Sequence, residues 1–573
     1  MVPSRRSRSL RSSPAPGPRS PDPSTVSMPE LDEGRRPRQS RPSDRLRVIL
    51  HVAAELPLII FGAAEMAHGW RPLWDNADTA LRSYQVFTRQ SPLVGHEIAL
   101  QVGGRPVFGP GPLENWLLAV PVRLDLGQGA LWGAVLVAVI AIAVAIEAGW
   151  STARWWGAVV VTASVLLLFA VRADVLVNVV WNAWFGIIFI VPAMASGFAV
   201  AAGRLRWWPV TVVAASVVAQ SQEVYALPLV LVCLVVPVVG VLARRRRGVH
   251  AGRGWLLAGI GVGVLVWLAP VLQEVGGTPG NLTLLWRAAR QPGGRVGLGQ
   301  SLGALGGAIS IPPLWVHPPP LHSSLAGFFY SFGILSGPRW WAVLALVILA
   351  GAAAVAILTG RRLLAAATVV SFTAAVGSLG SIAAIPATQI TNVAYLSVLL
   401  IPVGTAVLGS LAWIVVEVVR VAVRRYPAED PSRLVPTSLR TFVLSRKRQL
   451  AGLCAGTAIA ALFIFSLSSG SELIGISSAT VGGWPAIRAA DVGAAAVSRI
   501  APHGTFRLRL AEPISDYRFA VMTGVAYQLE TQGIQSRLVG GGFLVFGQAG
   551  PDLPVVTLVV PATGDDVTAR TGD

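Results

Sequence analysis

The stretch Trp74–Pro121 reads WDNADTALRSYQVFTRQSPLVGHEIALQVGGRPVFGPGPLENWLLAVP and lies between two long apolar segments. Both its ends are therefore pinned to a membrane, yet it carries acids, a histidine and repeated Gly-Pro turns. Connections of this length are uncommon inside compact folds and usually carry function.

The chain around it has 573 residues, 53% of them hydrophobic and 13% charged. A soluble domain carries about 25% charged residues, and here the apolar residues come in runs of roughly 20, the length that crosses a bilayer. This is the composition of a polytopic membrane protein. The net charge of +18 would suggest a nucleic-acid partner if the arginines were not placed beside the ends of apolar runs, where membrane orientation accounts for them. Arg244 to Arg247 is read as such a topological anchor, and no nucleic acid is expected. Cys233 and Cys454 fall inside expected spans and make neither a disulfide framework nor a metal cluster. No His/Asp/Glu set has metal-ligand spacing and no phosphate-binding glycine loop is present, so neither metal nor cofactor is expected.

Residues 1–45 are rich in Ser, Pro and Arg with almost no aromatics, a composition that cannot bury enough apolar surface to order itself. They read as a disordered basic cytoplasmic tail, with Met28 an alternative start. The transmembrane domain is expected over 46–470. Its eleven spans lie at roughly 47–66, 129–149, 156–172, 184–202, 207–222, 225–243, 253–273, 339–359, 363–385, 394–420 and 450–468. With the N-terminus inside, the five cytoplasmic loops hold one, two, five, two and eight Lys/Arg, against one in the three short outer connections together. The positive-inside rule then puts the N-terminus in and the C-terminus out.

Two large loops fall outside, 67–128 and 274–338. The first is expected to hold juxtamembrane helices at 79–90 and 112–124; in the second helix Leu113, Trp116, Leu117, Val120 and Leu124 make an apolar stripe at helical spacing. Residues 475–573 change character. Helical patterns at PAIRAADVGAAAVSRI and SDYRFAVMTGVAYQLETQG alternate with strands at TFRLRLA and near 534–539, 542–547 and 554–560, which reads as a small extracytoplasmic α/β domain with a partly parallel sheet. The fold class is thus mainly α, with that domain appended.

Within the first loop, Asp75 and Asp78 follow the first span closely. Asp78 reads either as the N-cap of a helix starting at Thr79 or as a general base; Asp75 reads as a solvated acid or as the base. An ordinary aspartate, with a pKa of about 3.9, is ionised at neutral pH and able to accept a proton. His96 and Glu97 read as a solvated turn or as substrate contacts. Glu114 and Asn115 open the second helix, where an acid also meets the helix dipole. Arg172 and Asp174 read as snorkelling residues, Gln220 and Gln222 as polar groups at a span's outer end, and Asn281 as a helix cap. The tryptophan pairs 155/156, 207/208 and 340/341 read as interfacial anchors.

Several segments together resemble a group of bacterial, largely actinobacterial members of the GT-C superfamily of polyprenyl-phosphate-sugar glycosyltransferases. They are Asp78-Thr-Ala-Leu81, Ser91-Pro-Leu-Val-Gly95, Gly109-Pro-Gly-Pro-Leu113, Trp181-Asn-Ala-Trp184, Val218-Ala-Gln-Ser-Gln222, Trp267-Leu-Ala-Pro270 with Gln273, and Pro279-Gly-Asn-Leu282. Each motif is short; their order, and the membrane side they fall on, carry the resemblance over about residues 70 to 285. Two positions depart from the pattern: Gly109 and Gln222 stand where those proteins have histidine.

The resemblance implies an inverting hexosyl- or pentosyltransferase in the plasma membrane. It would use a polyprenyl-phosphate-linked donor and a cell-envelope glycan, glycolipid or protein acceptor, with membrane lipid as its surroundings. Asp78 is then the first choice for the catalytic base and Asp75 the second, with His96, Glu97, Glu114, Asn115, Asn182 and Gln222 as substrate contacts. The alternative is a non-catalytic relative, a lipid-carrier flippase or an envelope-assembly partner. Ion-coupled transport is disfavoured, because the spans are largely free of charge near their middles.

Overall fold

The computed structural model describes residues 42–248, 252–316, 337–387, 398–425, 437–471, 483–511, 516–539, 553–561 and 567–572. The expected strand at 542–547, the end of the second large loop and most of the basic tail lie outside the described residues.

After α1 (Pro42–Ala67) the first loop folds into two helices, α2 (Trp74–Gln85) and α3 (Leu113–Leu124), with a hairpin of β1 (Glu97–Val102) and β2 (Arg105–Phe108) between them. There follow α4 (Gly129–Ala153), α5 (Trp155–Val171), the single turn α6 (Asp174–Val177), α7 (Asn182–Ala201), α8 (Trp208–Ser221) and α9 (Ala226–Arg245). Next come α10 (Arg253–Val266), α11 (Leu268–Gly276), α12 (Asn281–Ala288) and α13 (Gly297–Ala308), then α14 (Arg339–Leu358), α15 (Arg362–Ala384), α16 (Leu400–Arg425) and α17 (Thr437–Ser471).

Eight of these helices, α1, α4, α7, α9, α14, α15, α16 and α17, are long and apolar enough to cross a membrane; α10 and α11, bent by 46° at Trp267, make a ninth if taken as one span. The protein is multi-pass. Over the described residues each of the eleven expected segments is helical, but α5 with 17 residues and α8 and α10 with 14 each are short. Burial separates an axis from a periphery. In α7, 89% of the apolar window is buried by other helices, against 11% in α17. Leu234, Val238, Leu257, Val264, Val347 and Val418 all point outward and exposed, which water would penalise and lipid would not.

Small residues set the closest helix contacts. A Cβ on Gly149 of α4 would sit 2.6 Å from the carbonyl oxygen of Gly157, and one on Gly157 of α5 would sit 2.3 Å from that of Gly149. Neither backbone can retreat far, as in other small-residue crossings. Gly149→Val is therefore expected to lower stability by about 2 kcal/mol, read as an earlier thermal aggregation of the detergent-solubilised protein. An ionic cluster lies toward the start of α1. Arg47 pairs with Glu147 of α4, and the His51 ring bridges Glu55 at 2.8 Å and Glu147 at 3.0 Å.

The C-terminal unit is an α/β layer: α18 (Gly483–Ile500), β3 (Thr505–Leu510), α19 (Asp516–Thr531), β4 (Gln535–Val539), β5 (Val555–Val559) and β6 (Thr568–Gly572). The strand order is β4-β3-β5-β6, with β3 parallel to β4 and β5, and β6 antiparallel to β5. Alternation in TFRLRL buries Phe506, Leu508 and Leu510 under the helices, as a half-buried strand requires. Strand β6, ending the sheet, is absent from the sequence reading because TARTG carries no apolar alternation.

Candidate active site

The first loop differs from expectation at its opening. Helix α2 starts at Trp74, not Thr79, so Asp78 is no N-cap; it lies one turn inside the helix and is 3% exposed. The start of α2 is fixed by the C-terminal unit. The Trp74 amide, at a φ of +54°, donates to the Thr523 hydroxyl of α19 at 2.8 Å. Its ring packs edge-on against Phe519, with centroids 4.7 Å apart. Gly524 admits Leu73 where a Cβ would come within 2.5 Å of it. The Tyr527 hydroxyl donates to the Leu126 carbonyl at 2.6 Å. These contacts hold the one turn that carries both candidate aspartates.

The motif glycines explain how the rest of the loop returns to that turn. Gly95 and Gly109 exchange backbone hydrogen bonds around His96, Gly95 N to Gly109 O at 3.0 Å and Gly109 N to His96 O at 2.6 Å. A Cβ on Gly111 would lie 2.2 Å from Gln220 Oε1, so the Gly-Pro-Gly-Pro run is pressed on the end of α8. Gln220 ties this junction together, accepting from Leu113 N at 3.3 Å and donating to Val266 O at 2.9 Å. At Gly109, by contrast, a Cβ would meet only ordinary contacts of 3.4 Å and beyond, so backbone crowding does not exclude a side chain there. The hairpin that follows turns at Gly103 and Gly104, both with positive φ; Gly-Gly between alternating segments is a hairpin signal that the sequence reading passed over.

Four titratable groups are brought together from three elements. Asp78 Oδ2 accepts from Arg82 Nε at 2.8 Å and lies 2.8 Å from His96 Nδ1. Burial works against its charge, but the two cations outweigh it and hold the carboxyl down at about 2. Burial likewise opposes charge on His96, and the Asp78 hydrogen bond and charge, helped by Glu114, overcome it and raise the imidazole. Asp75 is partly exposed and accepts from Trp181 Nε1 at 2.9 Å. Burial pushes its carboxyl up to about 6, with Asp78 adding to the rise. Glu114, at the start of α3, is 2% exposed, and the Ser221 hydroxyl is the hydrogen-bonding group beside its carboxyl, short of full hydrogen-bond geometry. Burial, with the charges of Asp78 and Asp75, lifts Glu114 to about 7 despite His96.

The other expected residues frame this cluster. Asn115 donates to Thr79 O at 3.4 Å. Asn182 donates to Ser221 O at 3.0 Å and to Gln222 Oε1 at 3.4 Å, joining the start of α7 to the end of α8. Glu97 opens β1 opposite Phe108, at the foot of the hairpin. Arg172 and Asp174 do not snorkel: they form a buried two-bonded pair at 3.0 and 2.6 Å, with Arg172 over the Trp184 ring. Asn281 caps nothing; its side chain clamps β2, accepting from Phe108 N and donating to Phe108 O, both at 2.9 Å. Sequence reasoning missed Arg82, Trp181 and Ser221. Arg82 had a signal, the (i, i+4) spacing from Asp78; Trp181 and Ser221 lie inside the quoted motif segments 181–184 and 218–222, and tertiary packing brings them to the acids.

No family model matches the chain, and no curated protein matches it. Solved structures similar to it include two of ArnT from Cupriavidus metallidurans. The form bound to undecaprenyl phosphate has a TM-score of 0.45 at 14% identity, and the apo form 0.46 at 16%; each comparison covers 90% of this chain and 93% of that one.

Proposed function

We propose that this protein is a membrane glycosyltransferase that moves a sugar from a polyprenyl-phosphate-linked donor to an envelope glycan, glycolipid or protein acceptor at the outer face of the plasma membrane. In this reading all eleven helical segments span the membrane, with the N-terminus in and the C-terminal α/β unit out. What supports the chemistry is one observation: three carboxyls and a histidine gather where the apolar helices end, in unlike surroundings, Asp78 between Arg82 and His96, Asp75 partly open under Trp181, and Glu114 buried beside Ser221. Environments that separate neighbouring titratable groups in this way mark acid and base roles. The motif order around Asp78, Gly95 and Gly109 supports the donor class.

The roles follow from those surroundings. Asp75, partly open and near 6, is ionised at neutral pH yet basic enough to take the proton of an acceptor hydroxyl. The acceptor oxygen then bonds to the anomeric carbon as the bond from that carbon to the lipid-phosphate oxygen breaks. The lipid phosphate departs with the electron pair, and a single displacement inverts the centre. Asp78, near 2, is a weak base; it anchors Arg82 and His96 as cations beside the departing phosphate, which relocates the base from the motif aspartate to its neighbour. Glu114, about half protonated at pH 7, offers a hydrogen bond to a sugar or phosphate oxygen, with Asn182 and Gln222 next to it.

The test is a transfer assay in membranes, with a panel of polyprenyl-phosphate sugars offered to wild type and to variants expressed at equal level. Consumption of one donor supports the reading. Transfer from none, with envelope glycans still altered on deletion, moves the protein to the carrier or assembly-partner class. Trp181→Phe keeps the ring and removes the hydrogen bond that lowers the Asp75 pKa. Its pH–rate profile should therefore keep the plateau and shift its acid limb upward; an unmoved limb would detach Asp75 from the rate.

A further inference from the structure

Helix α7 runs from Asn182 beside the acids to Ala201, a helix of 20 residues with a rise of about 30 Å. At that far end lies a cavity of about 170 Å³ between the ends of α7, α9, α14 and α15. Its walls are apolar, with Val239, Leu242 and Ile357 among them, and Arg246, Arg247 and Arg362 stand around it.

The arginines divide by what they already hold. Arg244 donates to the Gly203 carbonyl at 3.3 Å, and Arg246 donates to the carbonyls of Ile357 and Leu358; both close helix ends in the usual way for cations there. Arg247 and Arg362 have no side-chain hydrogen bond or ion pair among the described residues, and they lie close enough to repel each other. More positive charge crowds in behind them. Arg204 is pushed down by burial and then by Arg206, Arg362 and Arg154, and no carboxylate is among the groups acting on it. The acid on the neighbouring α16, Glu417, is already shared between Arg361 at 3.2 Å and Arg420 at 2.6 Å. Helix orientation alone needs positive charge near a span's end; it does not need two guanidinium groups that have no partner among the described residues beside one apolar hollow.

We propose that this cavity is a binding site for the phosphate of an anionic membrane lipid, held between Arg247 and Arg362 with its acyl chains along the Val239, Leu242 and Ile357 wall. Guanidinium groups suit phosphate because their paired N–H donors match its oxygens, and basic pockets between spans hold anionic headgroups in this manner. The site is independent of the transfer reaction and lies at the other end of the fold from it.

The test uses the full-length protein in a non-ionic detergent, with phosphatidylglycerol or phosphatidylcholine added and bound lipid read by native mass spectrometry. Wild type should retain phosphatidylglycerol over phosphatidylcholine. Arg247→Gln/Arg362→Gln should bind it about 100-fold more weakly, tenfold for each lost charged partner, while Arg89→Gln/Arg287→Gln, with the same net charge, should bind as wild type does. Melting temperatures without added lipid check that both double variants fold, and Arg247→Glu gives a second disruption of the site. Equal retention by the Arg247/Arg362 variant and wild type, or equal retention of the two lipids, overturns the proposal. Displacement of the lipid by millimolar inorganic phosphate alone would also overturn it, because the ligand would then be a soluble phosphate.

Discussion

Asp75→Asn should lower the rate of sugar transfer by about 10²- to 10⁴-fold, the usual contribution of a positioned general base. The amide still accepts the Trp181 hydrogen bond, so the turn that begins α2 should keep its place and the KM for the donor should change little. The wild-type profile gives an independent check. A base with a pKa of about 6 must lose its proton before it can work, so the rate should rise as pH climbs through 6 and level above 7. If Asp78 were the base, its carboxyl near 2 would already be ionised across the whole accessible range, and no acid limb would appear between pH 4 and 7. Asp78→Asn should also lose activity, but through another route. It releases Arg82 and His96, so its defect should include weaker donor binding and a His96 that titrates lower. A flat profile above pH 4, with Asp78→Asn dead and Asp75→Asn active, would return the base to Asp78.

What was legible in the sequence was set by the membrane. Runs of apolar residues and the placement of arginine give the helical segments and their order, because a bilayer leaves the backbone few alternatives. The helices α5 and α8 are short because α5 ends where Arg172 turns to pair with Asp174, and α8 ends where Gln220 and Gln222 find partners on other helices. The aspartates and Glu114 can be picked out from their loop, but the roles proposed for them rest on neighbours distant in sequence. Asp75 and Asp78 are three residues apart on one helix; Trp181 meets one, and Arg82 and His96 meet the other. The start of α2 was misplaced for a similar reason. Nothing local makes Trp74 a good helix start; Thr523 and Phe519, about 450 residues on, do.

Glu114 makes the second large prediction, one of stability with a sign that depends on pH. Its carboxyl is buried with only the Ser221 hydroxyl beside it as a hydrogen-bonding group, and burial raises its pKa from 4.5 to about 7 on folding. The folded protein therefore holds a proton that the unfolded chain gives up between those values. Stability is unaffected below 4.5, falls as pH rises toward 7, and carries the full penalty above it. At about 1.4 kcal/mol per pKa unit that penalty is roughly 3 kcal/mol. Glu114→Gln is neutral at every pH and close in shape, so it should melt with wild type at pH 5 and above it at pH 8.5, the gap opening through neutrality. A gap of the same size at both values would mean that the carboxylate is compensated in the membrane by a group absent from its surroundings in the fold. The same substitution should reduce transfer, since the amide cannot exchange a proton with substrate. A residue whose replacement strengthens the fold and weakens the reaction is one retained at the cost of stability for its chemistry, and Glu114, buried next to Asp75, Asp78 and His96, is placed to be such a residue.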